Sequence, residues 1–405
     1  MATRPLYKRN IFVLWFGSFF AGIGISLINP FIPLFIETLG EFNRQELAFY
    51  SGIIIAAPYL MQALVSPFWG RLADRKGRKI MLLRASLGMS VFTIVASFSF
   101  NAWFLLAARM LFGSFSGFMS NAVALLAVQI PKEEAGKVMG SLNAANIGGM
   151  LIGPVFGGIA LSFVGYREVF IITGCIFAVV FLLTLLFIGE DFTPIKKGET
   201  IPIKEALRMV GNTRVVIGVF ITTLMITLTN SSMNPVLPLY VREILPEGGN
   251  VEFWTGIVSA APGITTIFVA SLLGSLGDRI GMHKVLMFGL ALQVLVFIPM
   301  VYVTAIWQFV VLRLILGIAN ASLLPGVQTI LTRSTPKEAT SRVFSLNQSF
   351  QSVGMVLGPL VGAAISGLLD LHFVFFATAA FALANLLNIV RIRPSRFNKD
   401  TEKTV

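Results

Sequence analysis

The most constraining feature of the sequence is a series of twelve long apolar runs separated by charged or turn-rich breaks. The runs lie at 10–37, 47–70, 79–100, 102–130, 138–163, 168–188, 214–241, 253–276, 283–303, 305–331, 342–367 and 371–391. A helix that crosses the hydrocarbon core of a bilayer needs about 20 predominantly apolar residues. The sequence therefore predicts an all-α membrane protein with twelve transmembrane helices, here called spans 1–12.

The composition agrees with a chain solvated by lipid. Of its 405 residues, 56% are hydrophobic and 12% are charged, whereas about 25% are charged in a typical soluble domain. The single cysteine, Cys175, excludes an intramolecular disulfide, and two histidines, His283 and His372, make a His- or Cys-based metal site improbable. No Ser/His/Asp constellation, phosphate-binding glycine loop or soluble domain is present. We therefore expect neither an enzyme nor a bound metal or cofactor.

The basic residues predict how the chain is oriented in the membrane. With the N-terminus in the cytoplasm, the outer side receives Arg44, Arg167 and Arg242, and Arg109 and Arg313 lie within the membrane. The remaining 26 of the 31 Lys and Arg residues then lie in cytoplasmic segments, as the positive-inside rule requires. Both termini are expected to be cytoplasmic, and the net charge of +12 is expected to contact membrane lipids rather than nucleic acid.

The chain repeats itself with an offset of 204 or 205 residues. The segment at 29–34 recurs at 234–239, and Ala-Ala-Pro at 56–58 recurs at 260–262. Other matches pair Gly70, Asp74, Arg109 and Pro154 with Gly274, Asp278, Arg313 and Pro359. A repeat unit of six spans enters the membrane twice with the same orientation. We expect two pseudo-symmetric six-helix bundles, at 1–188 and 214–405, joined by a cytoplasmic linker at 189–213.

The loop between spans 2 and 3 carries the strongest local motif, GRLADRKGRK at 70–79. Its glycines permit tight turns, and Asp74 can pair with Arg78 or lie at a helix N-terminus. The motif resembles the hallmark loop of the major facilitator superfamily, and a degenerate copy follows at 274–279. The resemblance implies the major facilitator fold and a gating motif. That motif comprises Gly70, Asp74, Arg75, Gly77, Arg78 and, in the copy, Asp278.

An arginine lies deep in span 4. Arg109 is about seven residues into the span, roughly 10 Å from its external end, and such charges usually face a cavity or a partner. Gly113 and Gly117 share its helix face, and Arg313 with Gly317 repeats the pattern in span 10. The arrangement is similar to the arginine motif of the superfamily's fourth helix, which the resemblance links to proton coupling. A structural arginine satisfied by neighbouring carbonyls is the alternative.

Span 5 carries a glycine-rich segment, GMLIGPVFGG at 149–158, with a partial copy in span 11. Glycines four residues apart form a ridge for close helix contact, and a proline can kink the helix. The segment resembles the antiporter motif of the superfamily's exporters, in the drug:proton antiporter branch. That motif comprises Gly149, Gly153, Pro154, Gly157 and Gly158. Glycine-rich packing alone is the alternative.

The residue that would carry the proton is less evident. Many proton-coupled drug exporters have an acidic residue deep in span 1 or 4, whereas the span cores here contain none. The coupling candidates are therefore Glu37, at the external end of span 1, and Asp74, together with Arg109 and Arg313. Burial of Glu37 during gating would favour its protonated form; a solvated loop glutamate is the alternative.

The substrate site is sought among polar or aromatic residues near the bilayer midplane. These residues are Tyr59, Gln62, Asn143, Asn146, Asn230, Gln348 and Gln351. Each of them can instead be a helix-to-helix contact. A cavity walled by Phe and Met, with a few amides and no fixed acid, would suit bulky lipophilic molecules of different shapes.

These observations predict a secondary active transporter of a bacterial plasma membrane, working as a monomer. It is expected to export lipophilic drugs or toxic compounds in exchange for protons by alternating access. Export or flipping of an endogenous sugar or lipid is the alternative function.

Overall fold

The computed structural model describes residues 6–190, 212–336 and 339–392, together with residues 205 and 208–210. This part of the chain is helical and contains no strand. Its helices are α1 (Leu6–Ile28), α2 (Ile32–Glu37), α3 (Arg44–Lys76), α4 (Arg78–Ser97), α5 (Ala102–Phe115), α6 (Phe118–Gln129), α7 (Lys132–Leu161), α8 (Tyr166–Phe187), α9 (Thr213–Ser232), α10 (Leu237–Ile244), α11 (Val251–Ile280), α12 (Met282–Met300), α13 (Ile306–Ser334), α14 (Thr340–Leu368) and α15 (Leu371–Ile392). Most of the predicted linker at 189–213 lies outside the described residues.

Within the described residues, twelve helical segments are long and apolar enough to cross a membrane. They begin and end within several residues of the predicted runs, except that the seventh stops at Ser232 instead of near residue 241. The all-α fold class with twelve membrane helices is confirmed.

Three of the predicted spans are interrupted. A 3₁₀ turn at Asn29–Phe31 separates α1 from α2, where Pro30 lacks the backbone N–H that a continuous helix would use. Gly117, with a φ of 113°, separates α5 from α6 in the left-handed region that favours glycine. Turn residues 233–236 separate α9 from α10. Such breaks are tolerated at membrane depth where neighbouring protein groups or a cavity satisfy the freed backbone.

The chain divides into two compact units. Unit 1 contains residues 1–43, 53–198 and 248–260, and unit 2 contains residues 44–52, 199–247 and 261–405. The core of unit 1 joins α1, α4, α6, α7 and α8 through residues such as Leu14, Leu82 and Phe177. The core of unit 2 joins α9, α12, α13, α14 and α15 through residues such as Val216, Leu290 and Val343. Unit 1 thus includes the first turns of α11, and unit 2 includes those of α3.

The two units use the same close contact at equivalent places. In unit 1, a Cβ on Gly113 of α5 would collide with the carbonyl oxygen of Pro58 in α3. In unit 2, a Cβ on Gly317 of α13 would collide with the carbonyl oxygen of Pro262 in α11. The sequence repeat therefore corresponds to a repeated helix packing in which glycine lets two backbones approach.

Candidate functional site

A buried polar cluster lies at the break between α1 and α2. Arg109 of α5 is only 7% exposed, and its Nη2 donates to Oδ1 of Asn29 at 2.6 Å. The Tyr59 side chain of α3 hydrogen-bonds with the same asparagine side chain. The Nε of Arg109 is buried without a hydrogen-bond partner among the described residues. The cluster places a permanent positive charge inside an apolar unit, with one donor still unsatisfied.

Local sequence determines this geometry. The Pro30 turn brings Asn29 out of a regular helix, and the contact of Gly113 with Pro58 draws α5 against α3. Arg109 and Tyr59 were predicted from the sequence, whereas their partner Asn29 was missed. The sequence feature that could have indicated Asn29 is its position immediately before Pro30, in a segment that recurs at 234–239.

Arg313 has a different neighbour in unit 2. Its Nη1 donates to the Sδ of Met233 at 3.7 Å, and Met233 follows the last residue of α9. A thioether is a weak acceptor. The two arginines are equivalent in sequence, but Arg109 donates to a side-chain amide and Arg313 to a thioether.

Unit 2 contains a cluster of three amides instead. Gln293 of α12 is 1% exposed, and its Nε2 donates to Oδ1 of Asn320 on α13 at 3.1 Å and to Oδ1 of Asn230 on α9 at 3.4 Å. Asn230 was expected to bind substrate. Gln293 and Asn320 were missed, although each is an amide inside an apolar run.

The remaining predicted substrate residues have different environments. Nδ2 of Asn146 donates to the carbonyl oxygen of Ser18 at 3.1 Å, which joins α7 to α1 and fits the helix-contact alternative. Gln62, Asn143 and Gln348 are exposed, and Gln351 is half-buried.

The glycines of the segment at 149–158 pack on two neighbours. Cβ atoms on Gly149, Gly153 and Gly157 would collide with backbone or side-chain atoms of α1. A Cβ on Gly158 would collide with the backbone of Glu252, at the start of α11, and the carbonyl of Pro154 contacts Gly256 there. Pro154 lies inside α7. This glycine ridge therefore holds α7 between α1 and the first turns of α11.

The loop motif is organised differently from the two arrangements considered for Asp74. Gly77, with a φ of 92°, precedes α4. The first N–H groups of α4, on Arg78 and Lys79, donate to the carboxylate of Glu190 at 2.9 and 2.7 Å. Arg78 Nη1 donates to the carbonyl oxygen of Ala124 at 2.6 Å. Glu190 thus provides the carboxylate at the helix N-terminus, while Asp74 is exposed and forms no ion pair with another described residue.

Other charged candidates lie at helix ends. Asp278 of the second loop accepts from Arg333 Nη2 at 3.3 Å, and both side chains are largely exposed. Arg75 is also exposed and Gly70 has open space around it. Glu37 is half-buried at the end of α2. Within the described ranges, no group of three or more His, Cys, Asp or Glu side chains is placed to hold a metal ion.

Comparison with known proteins decides the family. The family model for the Major Facilitator Superfamily matches this chain at residues 14–249 and 219–404. The chain belongs to the major facilitator superfamily.

Relatives within this superfamily match along almost the whole chain. The multidrug resistance protein MdtG of Salmonella heidelberg is 42% identical over 94% of each chain. MdtG of Serratia proteamaculans is 41% identical over 98% of this chain and 97% of its own.

Solved structures of major facilitator proteins share the fold. A bacterial homolog of the human lysosomal transporter Spinster, inward-facing and unoccupied, aligns with a TM-score of 0.77 at 15% identity over 98% of each chain. An auto-inhibited POT family peptide transporter aligns with a TM-score of 0.78 at 14% identity, over 95% of this chain and 96% of its own. The structural neighbours are transporters.

Within this major facilitator fold, some polar groups are buried inside a unit and others lie at helix ends. The Arg109 cluster and the amide cluster are buried among apolar helices, whereas Asp74, Asp278 and their basic neighbours lie at helix ends.

Proposed function

We propose that this chain exports bulky lipophilic compounds from the cell in exchange for protons, by alternating access. The observation that carries the proposal is the buried cluster of Arg109, Asn29 and Tyr59 in a chain whose near full-length relatives are multidrug resistance proteins. A charge held this deep in a membrane protein is costly and usually functional.

The chemistry of the buried groups fits such substrates. The Asn230, Gln293 and Asn320 side chains supply both donors and acceptors without a net charge. Arg109 supplies a fixed cation, and no carboxylate lies in the span cores. Apolar side chains around a few polar groups favour lipophilic molecules and tolerate different shapes.

Proton exchange requires a group that gains and loses a proton during the cycle. A guanidinium stays protonated at any physiological pH, so Arg109 and Arg313 act through their charge. The proton then belongs to a carboxylate, and Glu37 is our first candidate, because it lies half-buried beside the Pro30 and Pro33 segment. Asp74 is the second candidate and, with Gly70, Arg75, Gly77, Arg78 and Asp278, belongs to the proposed gating motif.

The proposed location is the plasma membrane of a bacterium, with both termini in the cytoplasm. The bundles at 1–188 and 214–405 are proposed to be the two moving halves, and the chain is proposed to work as a monomer.

Dye efflux from energised cells tests this function. Cells that express the wild type should extrude a lipophilic dye, and a proton-gradient uncoupler should stop the extrusion. Glu37→Gln should weaken the pH dependence of efflux more than it weakens dye binding. Efflux that continues at the normal rate with the uncoupler present would contradict proton exchange, and the absence of dye efflux would favour an endogenous sugar or lipid substrate.

A further inference from the structure

Unit 1 contains a polar cavity beside the proposed gating motif, and Gly70, Asp74 and Arg78 of that motif line it. Its volume is about 270 Å³, slightly below the range of roughly 300–1,000 Å³ that is typical of sites for drug-sized ligands. It lies where the end of α3 and the start of α4 meet the break between α5 and α6. The charged residues that line it are Asp74, Arg78 and Arg84. A small polar group therefore fits this cavity better than a bulky drug does.

Arg84 is the unsatisfied donor of this cavity. Its Nη2 donates to the carbonyl oxygen of Ser116 at 3.2 Å. Its Nε and Nη1 are both buried and have no hydrogen-bond partner among the described residues. Buried donors of a charged group are costly when they lack an acceptor. Arg84 was predicted to be one of the cytoplasmic charges, although it lies six residues, about 9 Å, along α4.

The neighbouring side chains hold Arg84 in place. Its guanidinium carbon lies 3.9 Å from the centroid of the Trp69 ring, and Trp69 Nε1 donates to the carbonyl oxygen of Ser114 at 2.8 Å. A guanidinium stacked on a fixed ring has little freedom to turn toward water. The Arg84 side chain is therefore held as a fixed cation in the wall of the cavity.

Several other polar groups of the cavity are already engaged. Ser116 Oγ donates to the Gly113 carbonyl oxygen at 2.8 Å, and Asn121 Nδ2 donates to the Gly117 carbonyl oxygen at 2.8 Å. Arg78 Nη1 donates to Ala124. Asp74 lines the cavity but forms no ion pair with Arg84 among the described residues. Two arginines and one carboxylate leave the lining with a net charge of about +1, so an anion would complete it.

We propose that this cavity binds a phosphate oxyanion, held by the guanidinium group of Arg84. Guanidinium groups match the geometry of phosphate oxygens. The cavity lies at the end of unit 1 that the charge distribution predicts to be cytoplasmic, where anionic phospholipids supply phosphate groups. Leu64 and Phe68, on the same helix as Trp69, are exposed, and such apolar side chains can contact acyl chains. The phosphate therefore comes from a lipid headgroup or from a soluble phosphate.

Binding to the purified full-length chain in detergent tests the proposal and separates the two sources. The probes are dihexanoyl phosphatidylglycerol, inorganic phosphate, and dihexanoyl glycerol as a lipid without a phosphate. Arg84→Gln removes the charge, and Arg71→Gln is the matched control, because Arg71 is exposed and does not line the cavity. Ser66→Leu fills the cavity and leaves the charge of Arg84 in place. It provides an independent test if Arg84→Gln does not fold.

We expect the wild type and Arg71→Gln to bind a phosphate probe alike. Arg84→Gln should weaken that binding by about tenfold or more, as expected for a hydrogen bond to a charged group, and Ser66→Leu should also weaken it. If phosphatidylglycerol binds and inorganic phosphate does not, the site is assigned to a lipid. If inorganic phosphate binds as tightly as phosphatidylglycerol, the site is assigned to a soluble ligand. The proposal is overturned if neither phosphate probe binds, if dihexanoyl glycerol binds equally well, or if both cavity variants bind like Arg71→Gln.

Discussion

At the scale of single residues, three arginines differ in the hydrogen-bond partners that they find. Arg109 reaches a side-chain amide at 2.6 Å, Arg84 has two buried nitrogens without an acceptor, and Arg167 donates to the carbonyl oxygens of Ser97 and Ser99. Arg167 thus has the purely structural environment, with backbone carbonyls as acceptors, that was the alternative interpretation of Arg109. Arg109 instead belongs to a side-chain network, which supports its proposed role in transport.

Removing the charge of Arg109 should impair transport. Arg109→Gln leaves Asn29 and Tyr59 without their buried cation, and a hydrogen bond to a charged group contributes about 1.5–3 kcal/mol. We expect the initial rate of dye efflux to fall by about tenfold or more. Met110→Ala, at an exposed neighbour on the same helix, should keep the wild-type rate. An Arg109→Gln variant that folds and transports like Met110→Ala would contradict the role of this cluster.

The ion pair between Arg44 and Asp370 gives a pH-dependent prediction. Arg44 Nη2 donates to Asp370 Oδ1 at 2.8 Å, and this hydrogen bond lowers the pKa of the Asp370 carboxyl below its usual value of 3.8. The charged form is favoured, so the stabilisation is present above that usual value and is lost as the pH falls through the lowered pKa. Both side chains are nearly half exposed, which limits the stabilisation to less than about 1 kcal/mol.

Melting of purified protein checks this prediction. Asp370→Asn should lower the melting temperature at pH 7 by less than about 3 °C relative to the wild type. The difference should persist at pH 5 and disappear in more acidic solution, where the wild-type carboxyl is also neutral. A difference that grew as the pH fell would show that this ion pair is not its source.

At the scale of elements, glycine positions set the distance between helices. Gly149 and Gly148 are adjacent on α7 but meet different surroundings. A Cβ on Gly149 would collide with the carbonyl oxygen of Phe19 on α1, whereas a Cβ on Gly148 would make an ordinary contact with the Phe19 ring at 3.9 Å. Substitutions at these two glycines can therefore distinguish the effect of close helix packing from the effect of helix propensity.

Alanine at these two positions should therefore have opposite consequences. Gly149→Ala should destabilise the protein by about 1–3 kcal/mol, because the two backbones must move apart. Gly148→Ala should be neutral or slightly stabilising, since alanine is the better helix former. Thermal unfolding in detergent measures both. Equal melting temperatures for the two variants would argue against tight packing of α7 on α1.

The sequence predicts the helices well and their contacts poorly. Span length and apolar composition are local properties, so all twelve spans could be located. The proline at position 30 and the glycine at position 117 are also visible, yet long apolar runs around them favour continuous helices. Which carboxylate caps α4 depends on the path of the chain after α8, so Glu190 could not be distinguished from Asp74. Pairing of Gln293 with Asn320 likewise needs the packing of α12 on α13.

At the scale of the whole molecule, charge distribution predicts the orientation. Single cysteines in a Cys175→Ser background, at Gly248 and at Pro131, test it, because both positions lie in loops and are exposed. A membrane-impermeant thiol reagent should label Gly248→Cys in intact cells. It should label Pro131→Cys only after the membrane is opened. The reverse pattern would place the termini outside the cytoplasm.

Transport by the reconstituted protein tests the central claim most directly. Purified chain in vesicles with an acidic interior is given a permanently charged lipophilic dye outside, because such a dye cannot be trapped by protonation. One-for-one exchange should accumulate the dye toward a limit of about tenfold per pH unit, and an ionophore that collapses the pH gradient should abolish the accumulation. Vesicles with Arg109→Gln should accumulate much less. Dye that only equilibrates across the membrane, with or without the pH gradient, would contradict export in exchange for protons.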